Sequence, residues 1–146
     1  MDAINSDNLC KFESEVKSVN APCDSVYTML SDLNNISRVK DRLPADKVKG
    51  LKFDADRCTL TVEPVGEVTF LICDREPGKT IKFTAENSPI PLFVWIQMLP
   101  VGDDAAKLKV TCHVELNMFL KNMVSKQLQE GINKIADVLS VLPYDK

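Results

Sequence analysis

What most restricts the folding of this chain is the order of its elements: one alternating strand, a helical stretch, a run of short strands, and a long amphipathic helix. From residue 48 to 116, runs rich in Val, Thr, Ile and Phe divide into six strands: Val48–Phe53, Arg57–Val62, Glu67–Asp74, Thr80–Ala85, Leu92–Leu99 and Ala106–Leu116. The segments between them, among them Asp54-Ala55-Asp56, Glu76-Pro77-Gly78-Lys79 and Val101-Gly102-Asp103-Asp104, are too short for parallel crossovers, so the six form an antiparallel meander. Pro77-Gly78 is the firmest turn signal, because a type II turn takes Pro at its second position and a positive-φ Gly at its third.

The first strand reads from Cys10 to Ser18, with Lys11, Glu13, Glu15 and Lys17 on one side and Cys10, Phe12, Ser14, Val16 and Ser18 on the other. Asn20-Ala21-Pro22 ends it and opens a helix, since Pro is tolerated in a first turn where its missing N–H is not needed. Val26, Met29, Leu30 and Leu33 mark that helix's apolar face, and a second short helix is expected through Ile36, Val39 and Leu43, stopped by Pro44. At the end of the chain Asn117 caps a long helix whose stripe runs through Leu120, Val124, Leu128, Ile132, Ile135, Leu139 and Leu142. Lys121, Lys126, Gln129, Glu130, Lys134 and Asp137 make its other face polar, so it lies on a surface. Gly131 in its middle implies either a closely approaching neighbour or a bend, because Gly costs about 1 kcal/mol there against Ala.

A length of 146 residues suits one domain with a core over about residues 10–142. Hydrophobic residues at 45% and charged residues at 27% are ordinary for a globular protein. Lys plus Arg number 18 against 21 Asp plus Glu, with no basic run, so nucleic acid is not an expected partner. The five cysteines match no disulfide or zinc spacing and read as free thiols, buried as small hydrophobes. Met1–Leu9 shows neither the basic nor the apolar region of a signal peptide, and no apolar run reaches the length of a membrane span, so a cytoplasmic location is expected.

Two segments carry a resemblance to a known family. KFESEVKSVNAPCDSVYTMLSDLNN, Lys11 to Asn35, joins a strand to a helix through Ala21 and Pro22, with Val26 and Tyr27 following, and SKQLQEGINKIADVL, Ser125 to Leu139, belongs to the closing helix. In these, and in element order from Cys10 to Leu142, the chain resembles small bacterial members of the START-related and polyketide-cyclase superfamily, SRPBCC, which includes proteins of the birch-pollen-allergen type. The resemblance implies an α+β helix-grip fold: a seven-stranded curved antiparallel sheet, two short helices after strand 1, and a long C-terminal helix covering the concave face. It also implies a cavity between sheet and helix, and no particular reaction, since the superfamily shares no catalytic motif.

The residue inventory narrows the chemistry further. His113 is the sole histidine, which excludes a His pair or a multi-histidine metal site, and its alternation with Thr111 and Glu115 puts it on the sheet's outer face. Asp54, Asp56, Asp103 and Asp104 fall in turns, where Asp serves backbone hydrogen bonding. Five scattered glycines form no phosphate loop, so no cofactor or metal is expected. The cavity lining is drawn from Phe12, Val16, Cys58, Leu60, Val68, Phe83 and the candidate ligand contacts Ser14, Phe70, Trp95, Gln97, Met118, Met123 and Gln127. The strand Leu92–Leu99 is apolar on both sides, and either Phe93, Trp95 and Gln97 or Val94, Ile96 and Met98 face inward.

The first expectation is therefore a non-enzymatic binder or transporter of a small, mostly apolar or amphipathic molecule. The second is an aromatase, cyclase or dehydratase type of enzyme, which requires His113, Tyr27 or Arg38 to point inward. A third is a protein-interaction module working through the apolar segment Pro89-Ile90-Pro91-Leu92-Phe93, whose partner the sequence does not name.

Overall fold

The computed structural model describes residues 9–35, 37, 51–62, 66–86, 91–142 and 144. Eight strands form one sheet in the order β1-β8-β7-β6-β5-β4-β3, with β2 also paired to β8, and every pairing is antiparallel. The strands are β1 (Leu9–Glu13), β2 (Lys17–Val19), β3 (Lys52–Phe53), β4 (Arg57–Val62), β5 (Gly66–Glu76), β6 (Thr80–Ala85), β7 (Leu92–Val101) and β8 (Ala105–Glu115). Helix α1 (Cys23–Leu30) and a 3₁₀ turn (Leu33–Asn35) follow β2, and α2 (Met118–Ser140) closes the chain. The expected helix through Ile36, Val39 and Leu43 lies outside the described residues, as do Val48 to Gly50 of the expected strand before Asp54.

The meander forms as its turn signals require. Gly78 has φ 72° and Lys79 N–H donates to the Glu76 carbonyl at 2.9 Å, closing the Pro77-Gly78 turn. Gly102, with φ 68°, serves the β7–β8 turn in the same way.

The expected single first strand is two strands, so that among the described residues the sheet has eight strands rather than seven. Glu13 pairs with Thr111 and Lys17 with Leu108, so three residues on one side of the gap face two on the other. That extra residue is a β-bulge, and it inverts the side-chain alternation beyond it. Cys10, Phe12 and Ser14 point to the core, Val16 is 60% exposed, and Val19 is buried. Ser14 holds the bulge: its N–H donates to the Val110 carbonyl at 2.8 Å and its hydroxyl accepts from Val110 N–H at 2.9 Å.

The core lies between the inward face of the sheet and the helices. Val94, Ile96 and Met98 of β7 share that face with Leu108, Val110, Cys112 and Val114 of β8. Helix α2 packs on β8, β1 and β2, and α1 packs on β7 and β8. Val124, Ile132 and Ala136 of α2 are buried, and Leu120, Leu128, Leu139 and Leu142 pack at the margin of the core. Ile135, expected in that stripe, is 45% exposed. Asn117 caps α2 as expected, its side chain accepting from Leu120 N–H at 2.9 Å.

Candidate functional site: the sheet face beneath the long helix

Polar contacts fix how α2 lies on the sheet. Gln129 Nε2 donates to the Glu13 carbonyl at 2.8 Å, and Lys17 Nζ meets the Asp137 carboxylate at 2.5 Å. These pins sit on either side of the bulge, which is why Lys17, expected on the wet face, is turned toward the helix. The hydrogen bond to Asp137 raises the Lys17 pKa above its ordinary value. Gln127, Gly131 and Ile135, on the flank of α2 opposite Gln129 and Asp137, are exposed.

The inward face from β4 to β7 is apolar. Register places Cys58 opposite Phe70, Phe70 opposite Ala85, Ile72 opposite Phe83, and Phe83 opposite Val94. Cys58, Ile72 and Phe83 are buried and Phe70 is half-buried against the core. Burial pushes the Cys58 thiol up to about 11 and the Cys112 thiol up to about 12, so both are neutral near neutral pH. The buried Ser14 hydroxyl is engaged with backbone, donating to the Glu15 carbonyl as well as accepting from Val110 N–H. Tyr27 packs at the core margin from α1.

The candidate contacts thus separate. Phe70 lies on the inward face, and Gln127 on the α2 flank beside Gly131 is exposed. Ser14 is inward-facing but serves the bulge. Trp95 and Gln97 are on the other side of the sheet, because Val94, Ile96 and Met98 take the inward positions. There Thr111 Oγ1 donates to Gln97 Oε1 at 2.9 Å, Trp95 meets His113 edge-on at 4.6 Å between centroids, and Lys82 Nζ lies 4.8 Å over Phe93 and 5.4 Å over Trp95. His113 is on this outer face as expected, its pKa lowered by burial and by Lys11. Met118 and Met123 are 77% and 54% exposed: the buried residues of α2 begin only at Val124, and Met123 falls outside the core stripe. The side chain of Leu60, Arg38, and the segment Pro89-Ile90 lie outside the described residues.

Sequence reasoning missed Lys17, Gln129 and Asp137 as the residues that aim the helix. Their polarity marks them as surface, and only the bulge brings Lys17 to the helix side. It also expected all the cysteines to be buried. Cys73 is exposed because it is the unpaired residue of a second bulge, between Ile72 and Asp74 of β5.

A curved antiparallel sheet gripped by a long C-terminal helix is the helix-grip fold of START-like proteins. Among solved structures, truncated norcoclaurine synthase from Thalictrum flavum is similar at TM-score 0.71 and 15% identity, over 90% of this chain and 91% of that one. A START superfamily protein from Mycobacterium smegmatis is similar at TM-score 0.57 and 12% identity, over 90% of this chain and 98% of that one. The structure of the Thalictrum flavum enzyme in complex with dopamine and hydroxybenzaldehyde is similar at TM-score 0.70 and 18% identity, over 96% of this chain and 90% of that one. No protein-family model and no curated protein matches the chain.

Proposed function

We propose that this protein is a single helix-grip domain that binds or carries a small, mostly apolar molecule between the sheet and α2, in the cytoplasm, without transforming it. The observation that carries this reading is the chemistry of the inward face: Cys58, Phe70, Ile72 and Phe83 offer apolar contact and a neutral thiol on the core side of the sheet. Such a surface gains from apolar area removed from water, about 25 cal/mol per Å², and selects by shape. Structures of the same fold hold small aromatic molecules, since norcoclaurine synthase has been solved with dopamine and hydroxybenzaldehyde.

The test is to incubate purified protein with cell extract, re-isolate it, and identify retained small molecules by mass spectrometry. Recurrent recovery of one apolar species at near-stoichiometric level is expected. Repeated recovery of none, together with no change in unfolding temperature across an apolar compound panel, overturns the reading.

A second reading, an enzyme of the cyclase or dehydratase type, is favoured by one observation: a similar fold belongs to a synthase. Of the groups weighed for acid or base work, Tyr27 at the core margin is the one described on the inner side, whereas His113 is on the outer face. Turnover of a captured ligand that is lost in Tyr27→Phe, with binding kept, would move the protein to this class.

A further inference from the structure

The first turn of α2 projects from the core. Asn117, Met118, Phe119, Lys121, Asn122 and Met123 are all exposed, Leu120 packs at the margin of the core, and the first buried residue of the helix is Val124. Three large apolar side chains stand in this stretch: Met118 is 77%, Phe119 69% and Met123 54% exposed. Phe119, Met123 and Lys126 follow at i, i+4 and i+7, so they share one face of the helix, whereas Val124, Leu128 and Ile132 share the face that meets the core. Beyond Lys126 the outward face turns polar, through Glu130, Lys134 and Asp137. The tip is thus apolar on a side that packing within the chain does not use. Its charge is also of one sign. Acidic side chains are favoured at a helix start, where the partial charge is positive, yet α2 has no acid before Glu130 and carries Lys121 and Lys126 instead, in a chain of net charge -3.

We propose that this tip docks the protein on an anionic bilayer surface, with Met118, Phe119 and Met123 entering the boundary between headgroups and acyl chains while Lys121 and Lys126 meet the negatively charged headgroups. Bulky apolar and cationic side chains interleaved over two turns match such a boundary, which is apolar below and negatively charged above. A second protein matches the tip less well. The three apolar side chains offer on the order of 400 Å², about half of the ~800 Å² that each partner contributes to a stable protein interface. A bilayer sets no such requirement, since projecting side chains enter it one by one. None of these residues lies on the inward face of the sheet, so the proposal stands apart from the binder reading above.

The experiment floats the protein with vesicles of phosphatidylcholine alone and of phosphatidylcholine and phosphatidylserine, two to one, with unfolding midpoints measured in parallel. Wild type is compared with the pair Met118→Ser and Phe119→Ser, the pair Lys121→Gln and Lys126→Gln, and two controls. Leu99→Ser removes an apolar side chain that is 62% exposed near the other end of β7, and Lys134→Gln removes a lysine exposed further along α2. All these positions are exposed, so the midpoints are expected to stay at the wild-type value. Wild type is expected to float with the anionic vesicles, less so as salt is raised, and not with phosphatidylcholine alone. The serine pair is expected to weaken binding at least about tenfold and the glutamine pair about fivefold per lysine, with both controls unchanged. No flotation of wild type with the anionic vesicles overturns the proposal, as does wild-type binding by the folded serine pair or equal binding to both vesicles. A dimer in light scattering that the serine pair abolishes, with no vesicle binding, assigns the tip to a second copy of the chain and overturns it as well.

Discussion

At the scale of single residues, the inward-facing cysteines and His113 give measurable consequences of burial. Cys58 and Cys112 are buried, with thiols held well above their ordinary value, and it is the thiolate that reacts with alkylating agents. Cys73 projects from the β5 bulge into solvent. Iodoacetamide on native protein is therefore expected to label Cys73 first and to reach Cys58 and Cys112 only on unfolding, as mass spectrometry of digests will show. His113 carries a pH dependence of defined sign. Burial, then the Lys11 charge, hold its pKa below 6.5, with Glu13 opposing. The unfolded chain therefore takes up this proton at higher pH than the folded one, and stability falls as pH drops through the ordinary His range. Denaturation midpoints from about pH 7.5 to about pH 5.5 should decline more for wild type than for His113→Phe, which keeps the ring against Trp95 and cannot titrate. Equal declines would show that His113 is not the responsible group.

At the scale of elements, the bulge and the long helix each make a separable claim. Ser14→Ala leaves Val110 N–H without its hydroxyl acceptor in a buried strand pair, which costs about 1 to 3 kcal/mol, whereas Ser18→Ala at an exposed position should stay within about 0.5 kcal/mol. Urea denaturation midpoints check both. In α2, Ile132 is 6% exposed and Ile135 45%, so Ile132→Ala should cost about 2 to 5 kcal/mol and Ile135→Ala less than half as much. Comparable losses would mean that the Ile135 flank is packed in solution. The sequence makes α2 legible as a helix because the apolar spacing is regular from Leu120 to Leu142. It does not reveal that Ile135 is rim, because a period of 3.6 residues identifies a stripe and not which of its margins meets a strand. The bulge was equally hidden, since the alternation from Lys11 to Lys17 looks unbroken and the extra residue becomes visible only against β8.

At the scale of the whole molecule, binding and stability are linked. A ligand held only by the folded state stabilises it by RT ln(1 + [L]/Kd), about 2.7 kcal/mol at a hundredfold excess over Kd. Titrating the molecule recovered from extract against the unfolding temperature should give a logarithmic rise, and a flat response would mean that it rode on the surface. Strand positions from Arg57 to Glu115, the Pro77-Gly78 turn, the cap at Asn117 and the α+β order were determined by the sequence alone, because each is written in local propensity and periodicity. Tertiary structure decided which face of β7 looks inward. Its two sides, Phe93-Trp95-Gln97 and Val94-Ile96-Met98, are similar in apolarity, so no local preference separates them, and register with Val110 and Cys112 of β8 settles it. Strand pairing sends Trp95 and Gln97 to the outer face and leaves Phe70 within, and pairing with β8 across one extra residue between Glu13 and Lys17 turns Lys17 to meet Asp137 and aim the helix. The register of β1 and β2 on β8 relates strands nearly a hundred residues apart, and local propensity does not specify it.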